Sequence, residues 1–298
     1  MMSDPTQQHI PTPSLMNTVI RTIASIGLLR ESIVGMIGMG IIAFWVIMAL
    51  FAPWIAPFDP NATLVPFQLP GTIAPDGATF WLGTDMIGRD ILSRLIWGAR
   101  TVMFYAPVAT ACAYAVGIIM GLTAGYKLGW WDVWLSRLSD IILSFPVLVL
   151  YIIVIVHFGS SGLNIIVAIT FASAPGIMRI VRGLTLDVRE RDYISAAQTR
   201  GESSLYIMLV EILPNVRGPL IVDVCLRFGY VIITIGVLGF LGLGLPPPNP
   251  DWGGMINENR AMALAVPHMT VFPCLAISSL VLGFNLLADG LREVSLRD

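Results

Sequence analysis

Two stretches of this chain, Ser32 to Phe58 and Thr101 to Tyr126, contain no ionisable residue. Each exceeds the roughly 20 apolar residues that carry an α-helix across the hydrocarbon core of a bilayer. A segment in lipid has no water to satisfy its backbone, so it closes its hydrogen bonds on itself, as a helix does. Charge content points the same way. Of 298 residues, 12% are charged and 56% hydrophobic, whereas soluble domains carry about 25% charged residues. The expected fold class is an all-α integral membrane protein.

Six spans are predicted, at 32–57, 101–126, 133–157, 163–182, 217–242 and 266–289. The third and fourth share one apolar run from Ile141 to Met178, broken by Gly159-Ser160-Ser161-Gly162. Two glycines around two serines make a tight turn, so this run reads as a hairpin. The opening segment 1–31 is mostly polar, and the apolar run after it is too long for the h-region of a cleavable signal peptide. It reads as a retained first span.

Orientation follows from the cations. Arg179, Arg182, Arg189, Arg191, Arg200 and Arg217 gather in and around 183–216, Arg292 and Arg297 near the end, and Arg21 and Arg30 near the start. Positive residues collect on the cytoplasmic side, which gives an N-in, C-in topology. Residues 1–31 and 291–298 are then cytoplasmic, 58–100 forms an external loop, and 101–290 a five-helix core containing the cytoplasmic loop 183–216. Arg89, Arg94 and Arg100 run against this rule, with Asp59, Asp76, Asp85 and Asp90 offsetting them.

The net charge of -2 leaves no basic surface for nucleic acid. Cys112, Cys225 and Cys274 all lie in apolar runs, which fits packing residues and not a disulfide framework or a metal site. A phosphate-binding P-loop needs a lysine followed by serine or threonine. The single lysine, Lys127, precedes Leu128. No catalytic or metal site is therefore expected, and energy has to come from another subunit or from an ion gradient.

Within 183–216, Tyr193, Ala197 and Gly201 are spaced i, i+4, i+8 and share one face of a helix. Glu202-Ser203-Ser204 can start a second short helix, and Pro214 is expected where the chain turns back to the membrane. Spacing alone is equally that of an ordinary amphipathic loop helix. In the external loop, Gly83, Thr84, Asp85, Gly88, Arg89 and Asp90 suit a tight turn whose charges pair locally; capping the bundle and guiding a ligand both fit. Pro246-Pro247-Pro248 ends the fifth span, and Trp252 is expected at the membrane interface. Asp223 and Arg227, at i and i+4 near the cytoplasmic end of that span, form an expected ion pair. Gly117, Gly121 and Gly125 make a small-xxx-small ladder for close helix packing.

Ser195-Ala196-Ala197, Gly201 and Ile212-Leu213-Pro214 resemble the EAA motif of bacterial ABC-importer permeases, with Ser195 in place of its glutamate. The stretch from Leu82 to Arg94 resembles LGTDxxGRDxxSR, that from Leu241 to Gly253 resembles LGLG…PPxPxWG, and that from Phe284 to Arg292 resembles FNLLGDGLRD with Ala288 substituted. Ile235 and Gly239 replace a glutamate and a serine frequent before LGLG in such permeases. In order and spacing the motifs are similar to the DppC/OppC type of the dipeptide, oligopeptide and nickel importers.

The resemblance implies an ABC type I importer permease in the bacterial inner membrane, half of a pathway for short peptides or related solutes such as nickel complexes or oligosaccharides. It also implies a homologous permease partner, two ATP-binding cassette subunits that hold ATP and Mg, an extracytoplasmic solute-binding protein, and a surround of membrane lipid. Tyr193, Ser195, Ala196, Ala197, Gly201 and Pro214 would then belong to a coupling helix at about 187–208. The alternatives are an ion-coupled secondary transporter, which needs mid-membrane carboxylates, and a non-transporting membrane scaffold.

Overall fold

The computed structural model describes residues 32–74 and 77–295. The segment 1–31, Asp76 and the last residues 296–298, for which cytoplasmic or external positions are expected above, lie outside them. Secondary structure begins with α1 (Ile33–Leu50) and a short α2 (Ala52–Ile55). An external segment follows that contains one antiparallel pair of two-residue strands, β1 (Thr72–Ile73) and β2 (Thr79–Phe80). Then come α3 (Ile91–Lys127), α4 (Gly129–Leu143), α5 (Val147–Phe158), α6 (Gly162–Arg189), α7 (Asp192–Thr199), α8 (Ser204–Tyr206), α9 (Leu213–Phe240), α10 (Trp252–Asn259) and α11 (His268–Ser295).

Among the described residues, five helices are long and apolar enough to cross a membrane: α1, α3, α6, the continuous helix Ser204–Phe240, and α11. The third span differs from the expected straight helix over 133–157. It is a pair, α4 and α5, bent by 87° at Ser144-Phe145-Pro146. Pro146 has no N–H for the helical ladder and pushes Phe145 away from helical backbone. The reading at Gly159–Gly162 holds: α5 ends at Phe158, Gly159 has φ of 90°, and Ser161 caps α6 by accepting from the Asn164 N–H.

The second span starts ten residues earlier than expected. Asp90 caps α3, its Oδ2 accepting from the Ser93 N–H at 2.7 Å. The external segment therefore ends at Asp90, and Arg94 and Arg100 are helical. In the fifth span, Pro214 does not mark a turn. It sits inside a continuous helix, just after a π-turn over Ile207–Ile212 that joins α8 to α9 without a break at the place where Pro214 cannot donate to the ladder.

The core is built on α3 and α6. Ideal Cβ atoms at Gly117, Gly121 and Gly125 would stand 2.6 Å from Ile177 Cβ, 2.6 Å from Val181 Cβ and 2.7 Å from Thr185 Cβ. The expected ladder is thus a close helix contact, with glycines on α3 facing branched residues one turn apart on α6. A second close contact joins the two ends of the chain. At Gly38 of α1 a Cβ would lie 2.6 Å from the Gly283 carbonyl oxygen of α11, and Ser32 Oγ donates to Glu293 Oε2 at 2.9 Å. The start of α1 and the end of α11 therefore lie together, opposite the external segment. Arg182 and Arg179 of α6 hold α4 through Asp132 (2.5 and 2.7 Å) and Asp140 (2.6 Å). Cys112, Cys225 and Cys274 are free thiols.

A Gly121→Val substitution is expected to destabilise the bundle by about 1–3 kcal/mol through overpacking against Val181 and the Met178 carbonyl. Thermal unfolding in detergent measures this, with Gly183→Ala, where no atom lies within 4 Å of the added Cβ, as the tolerated control.

Candidate functional site

At the cytoplasmic end, α7 runs from Asp192 to Thr199 and stops at a glycine for a definite reason. Gly201 has φ of 78°, which side chains beyond glycine adopt only with strain. The Gly201 N–H donates to the Gln198 carbonyl at 2.9 Å and the Glu202 N–H to the Ala197 carbonyl at 3.2 Å. These two bonds are a Schellman cap, so Gly201 terminates the helix and does not weaken its interior. Ser203 Oγ then accepts from the Tyr206 N–H at 3.2 Å and starts α8. The expected helix–glycine–helix element is present, with its second helix running directly into the membrane.

The expected shared face of Tyr193, Ala197 and Gly201 is not what the structure builds. Ile194 and Ala197 are fully buried and pack with Ile207, Ile212, Leu122 and Val181 in the cytoplasmic part of the core. Tyr193, Ser195, Ala196 and Gly201 face outward, as does Pro214 on α9. Beside them, Leu205, Tyr206 and Leu209 are exposed apolar residues. Burial pushes the Tyr193 hydroxyl pKa up, with the nearby Arg191 opposing. Arg200 braces the turn, lying 3.7 Å from Glu202 and 3.5 Å from Glu211.

At the external end the six signature residues come together. Gly83 and Gly88 have φ of 81° and 88°, and a Cβ at Gly83 would strike the Gln68 carbonyl oxygen. Thr84 is buried, accepting from the Gln68 N–H (2.9 Å) and donating to the Val65 carbonyl (2.6 Å). Asp85 folds the turn on itself: Oδ1 accepts from the Ile87 and Arg89 N–H groups, and Oδ2 pairs with Arg89 Nε at 2.6 Å. Asp90 caps α3 as described, and burial pushes its pKa up, with the bonds to Ser93 pulling it back.

Composition of the loop alone does not reveal its partner. Glu258 Oε2 accepts from Arg89 Nη2 at 2.5 Å and from Arg94 Nη2 at 3.1 Å, and Asn259 Oδ1 accepts from the Met86 N–H. The loop is thus tied to α10 as a cap over the external end of the bundle. Trp252 belongs to this knot and not to the membrane interface. It is fully buried, donates from Nε1 to the Leu95 carbonyl at 2.9 Å, and meets Trp45 edge to face with centroids 4.8 Å apart. Asp251 caps α10 through the Gly253 and Gly254 N–H groups, and bare glycines at 239 and 244 leave room for its carboxylate.

Deep burial raises the Asp251 pKa to about 6, against the pull of those amides. The folded chain therefore binds this proton at a pH where the unfolded chain has lost it. Stability from this group is gained as pH falls through about 6 towards 3.8 and is absent above about 6. Thermal unfolding should occur at higher temperature at pH 5.5 than at pH 7.5, and Asp251→Asn should flatten that difference. Glu258→Ala should cost about 1–3 kcal/mol, because it strands two arginines while Glu258 itself is partly solvated.

Asp223 and Arg227 pair as expected, with Nε 2.7 Å from Oδ2. At 1.5 Å per residue Arg227 lies about 20 Å and Asp223 about 26 Å short of Phe240 along the continuous helix that begins at Ser204. Tyr114 of α3 donates to Asp223 Oδ2 at 2.5 Å.

The comparisons with known proteins settle the class. Residues 117–297 match the family described as binding-protein-dependent transport system inner membrane component, and residues 29–72 match the N-terminal TM domain of oligopeptide transport permease C. The chain is 39% identical over 248 residues to the glutathione transport system permease protein GsiD of Escherichia coli O157:H7, covering 83% of this chain and 81% of that protein. The same protein of Shigella dysenteriae serotype 1 (strain Sd197) is 38% identical over the same shares. With its five long apolar helices, its bent third span and these matches, the chain belongs to the binding-protein-dependent inner-membrane components, as a multi-pass permease subunit of a bacterial ABC importer of the DppC/OppC type.

Proposed function

We propose that this permease forms half of a pathway for short peptides, glutathione-like tripeptides among them, and that α7 with the start of α8 is its coupling element. The other half is a homologous permease. Two ATP-binding cassette subunits, holding ATP and Mg, sit below the pair, and an extracytoplasmic binding protein delivers solute from above. The peptide class rests on the similarity to permeases named for glutathione transport.

One observation carries the coupling assignment. Tyr193, Leu205, Tyr206 and Leu209 expose apolar surface at the expected cytoplasmic end, around a turn capped on both sides by the Gly201 Schellman bonds and Ser203. Apolar patches left uncovered on the aqueous side mark docking surfaces. Ala196 and Ser195 between them are small and permit close approach of a partner backbone. With Ser195 at the glutamate position of the motif, docking here rests on apolar contact and not on a salt bridge from that residue.

In this mechanism ATP binding closes the cassette dimer and moves its clefts together. The coupling element follows as a rigid piece, because Ile194 and Ala197 anchor it in the core and the Schellman cap fixes its exit. The pathway then shifts from inward-open to outward-open, a two-state equilibrium biased by nucleotide.

Affinity purification of the tagged chain in mild detergent, followed by mass spectrometry, is expected to recover a second permease and one or two P-loop ATPases. Ala196→Trp and Tyr206→Asp should each abolish ATPase recovery and ATP-driven uptake of glutathione or Ala-Ala into proteoliposomes. Unchanged recovery and uptake in both variants would show that docking is elsewhere. Ala197→Trp is expected to fail earlier, at folding, since the site is filled from within.

A further inference from the structure

Along the continuous helix Ser204–Phe240, four polar residues recur on one face: Asp223, Arg227, Tyr230 and Thr234, at i, i+4, i+7 and i+11. A 3.6-residue period lines them up in a single seam. Ile233, a neighbour outside this seam, is apolar and exposed, as a lipid-facing residue is. Tyr230 is 70% exposed in the isolated chain, which puts the edge of the seam on an open surface. Ionisable groups within a membrane-crossing helix are costly and face protein or a water-filled cavity.

The seam borders a cavity of about 80 Å³ between α3, α5, α6 and α9. Hydroxyls line it: Thr110 and Tyr114 from α3, Tyr151 from α5, Ser173 from α6, and Tyr230 and Thr234 from α9. Arg227 is the cation in this wall. Its Nε is engaged by Asp223, while the Nη end lies across Gly176, 3.5 and 3.6 Å from where a Cβ would stand, with no ion pair to those two nitrogens among the described residues. Thr110, 3% exposed, turns an Oγ1 with no hydrogen-bond partner towards the same space. An unsatisfied hydroxyl beside a guanidinium whose Nη end neighbours the Tyr114 phenol and, among the described residues, no second carboxylate suits one kind of ligand, a planar oxyanion.

We propose that this cavity and seam form a contact station for the carboxylate of the passing solute, with the Nη end of Arg227 as its principal donor. This rests on the reading of the chain as half of a transport pathway, and it adds the ligand chemistry and the residue. Asp223 and Tyr114 act as positioning residues: the carboxylate fixes Nε and the phenol fixes the carboxylate, so the fork is held facing the cavity. The hydroxyls receive the second oxygen without adding charge, which keeps the contact brief enough for transit.

The test uses the assembled transporter with Cys112, Cys225 and Cys274 replaced by alanine and a single cysteine at Tyr230→Cys or Thr234→Cys. Anionic and cationic methanethiosulfonates (MTSES and MTSET) probe the thiol. A cation in the wall concentrates the anion, so MTSES is expected to react about tenfold or more faster, relative to free thiol controls. Arg227→Gln should erase that preference and Arg227→Lys should keep much of it. Ile233→Cys should react with neither reagent. Silence of both seam cysteines towards both reagents would overturn the proposal, and so would a preference that survives Arg227→Gln. The uptake assay is separate: loss of ATP-driven transport in the parent complex would remove the importer reading and leave the charge selectivity to be judged by itself.

Discussion

Three missing side chains organise this molecule. Because Gly117, Gly121 and Gly125 present bare backbone, α3 lies directly against Ile177, Val181 and Thr185 of α6. In lipid there is little hydrophobic drive to bring helices together, so close van der Waals packing of this kind supplies much of the association. The two helices it joins carry both faces of the protein. The external end of α3 holds the Asp85–Arg89–Arg94–Glu258 cluster, and the cytoplasmic end of α6 leads straight into α7. Either face can be placed only as accurately as that glycine contact is tight.

The external cap shows how charge is tolerated in so apolar a chain. Arg89 and Arg94 sit against the rule that cations stay cytoplasmic, yet neither meets bulk lipid. Glu258 accepts from both while Asp85 holds the first. Asp251 meets a similar problem differently, by taking up a proton as pH falls through about 6 under burial while keeping two backbone donors. The result is a cap whose charges are met chiefly by one another within the protein.

Much of this was legible in the residues. Uninterrupted apolar runs gave the spans, because the bilayer imposes a length that no soluble fold demands. Gly159–Gly162 gave the hairpin, and the glycine ladder gave the helix contact. What periodicity could not supply was tertiary. Trp252 has the sequence context of an interfacial anchor, and only packing by Trp45 and the Leu95 carbonyl draws it inside. Ala197 lies on the expected helix, but which face turns inward depends on Ile207 and Ile212 from the next one. Pro146 carried a local signal for the bend in the third span. The seam of Arg227, Tyr230 and Thr234 was open to the same helical arithmetic that found Asp223.

The unbroken run from Ser204 to Phe240 has a mechanical consequence. At 1.5 Å per residue it is a rod of about 55 Å, with its lower tip beside the cytoplasmic turn and its upper tip under the proline-rich loop. A rod pivoting at one end multiplies angle into distance: a swing of about 5° carries the other end by about 5 Å. The joint between α8 and α9 is a π-turn and not a break, so the helix is continuous through it and passes such a swing on. A push too small to rearrange any side chain at the cytoplasmic tip thus becomes, at the far tip, a displacement as wide as a water molecule and more.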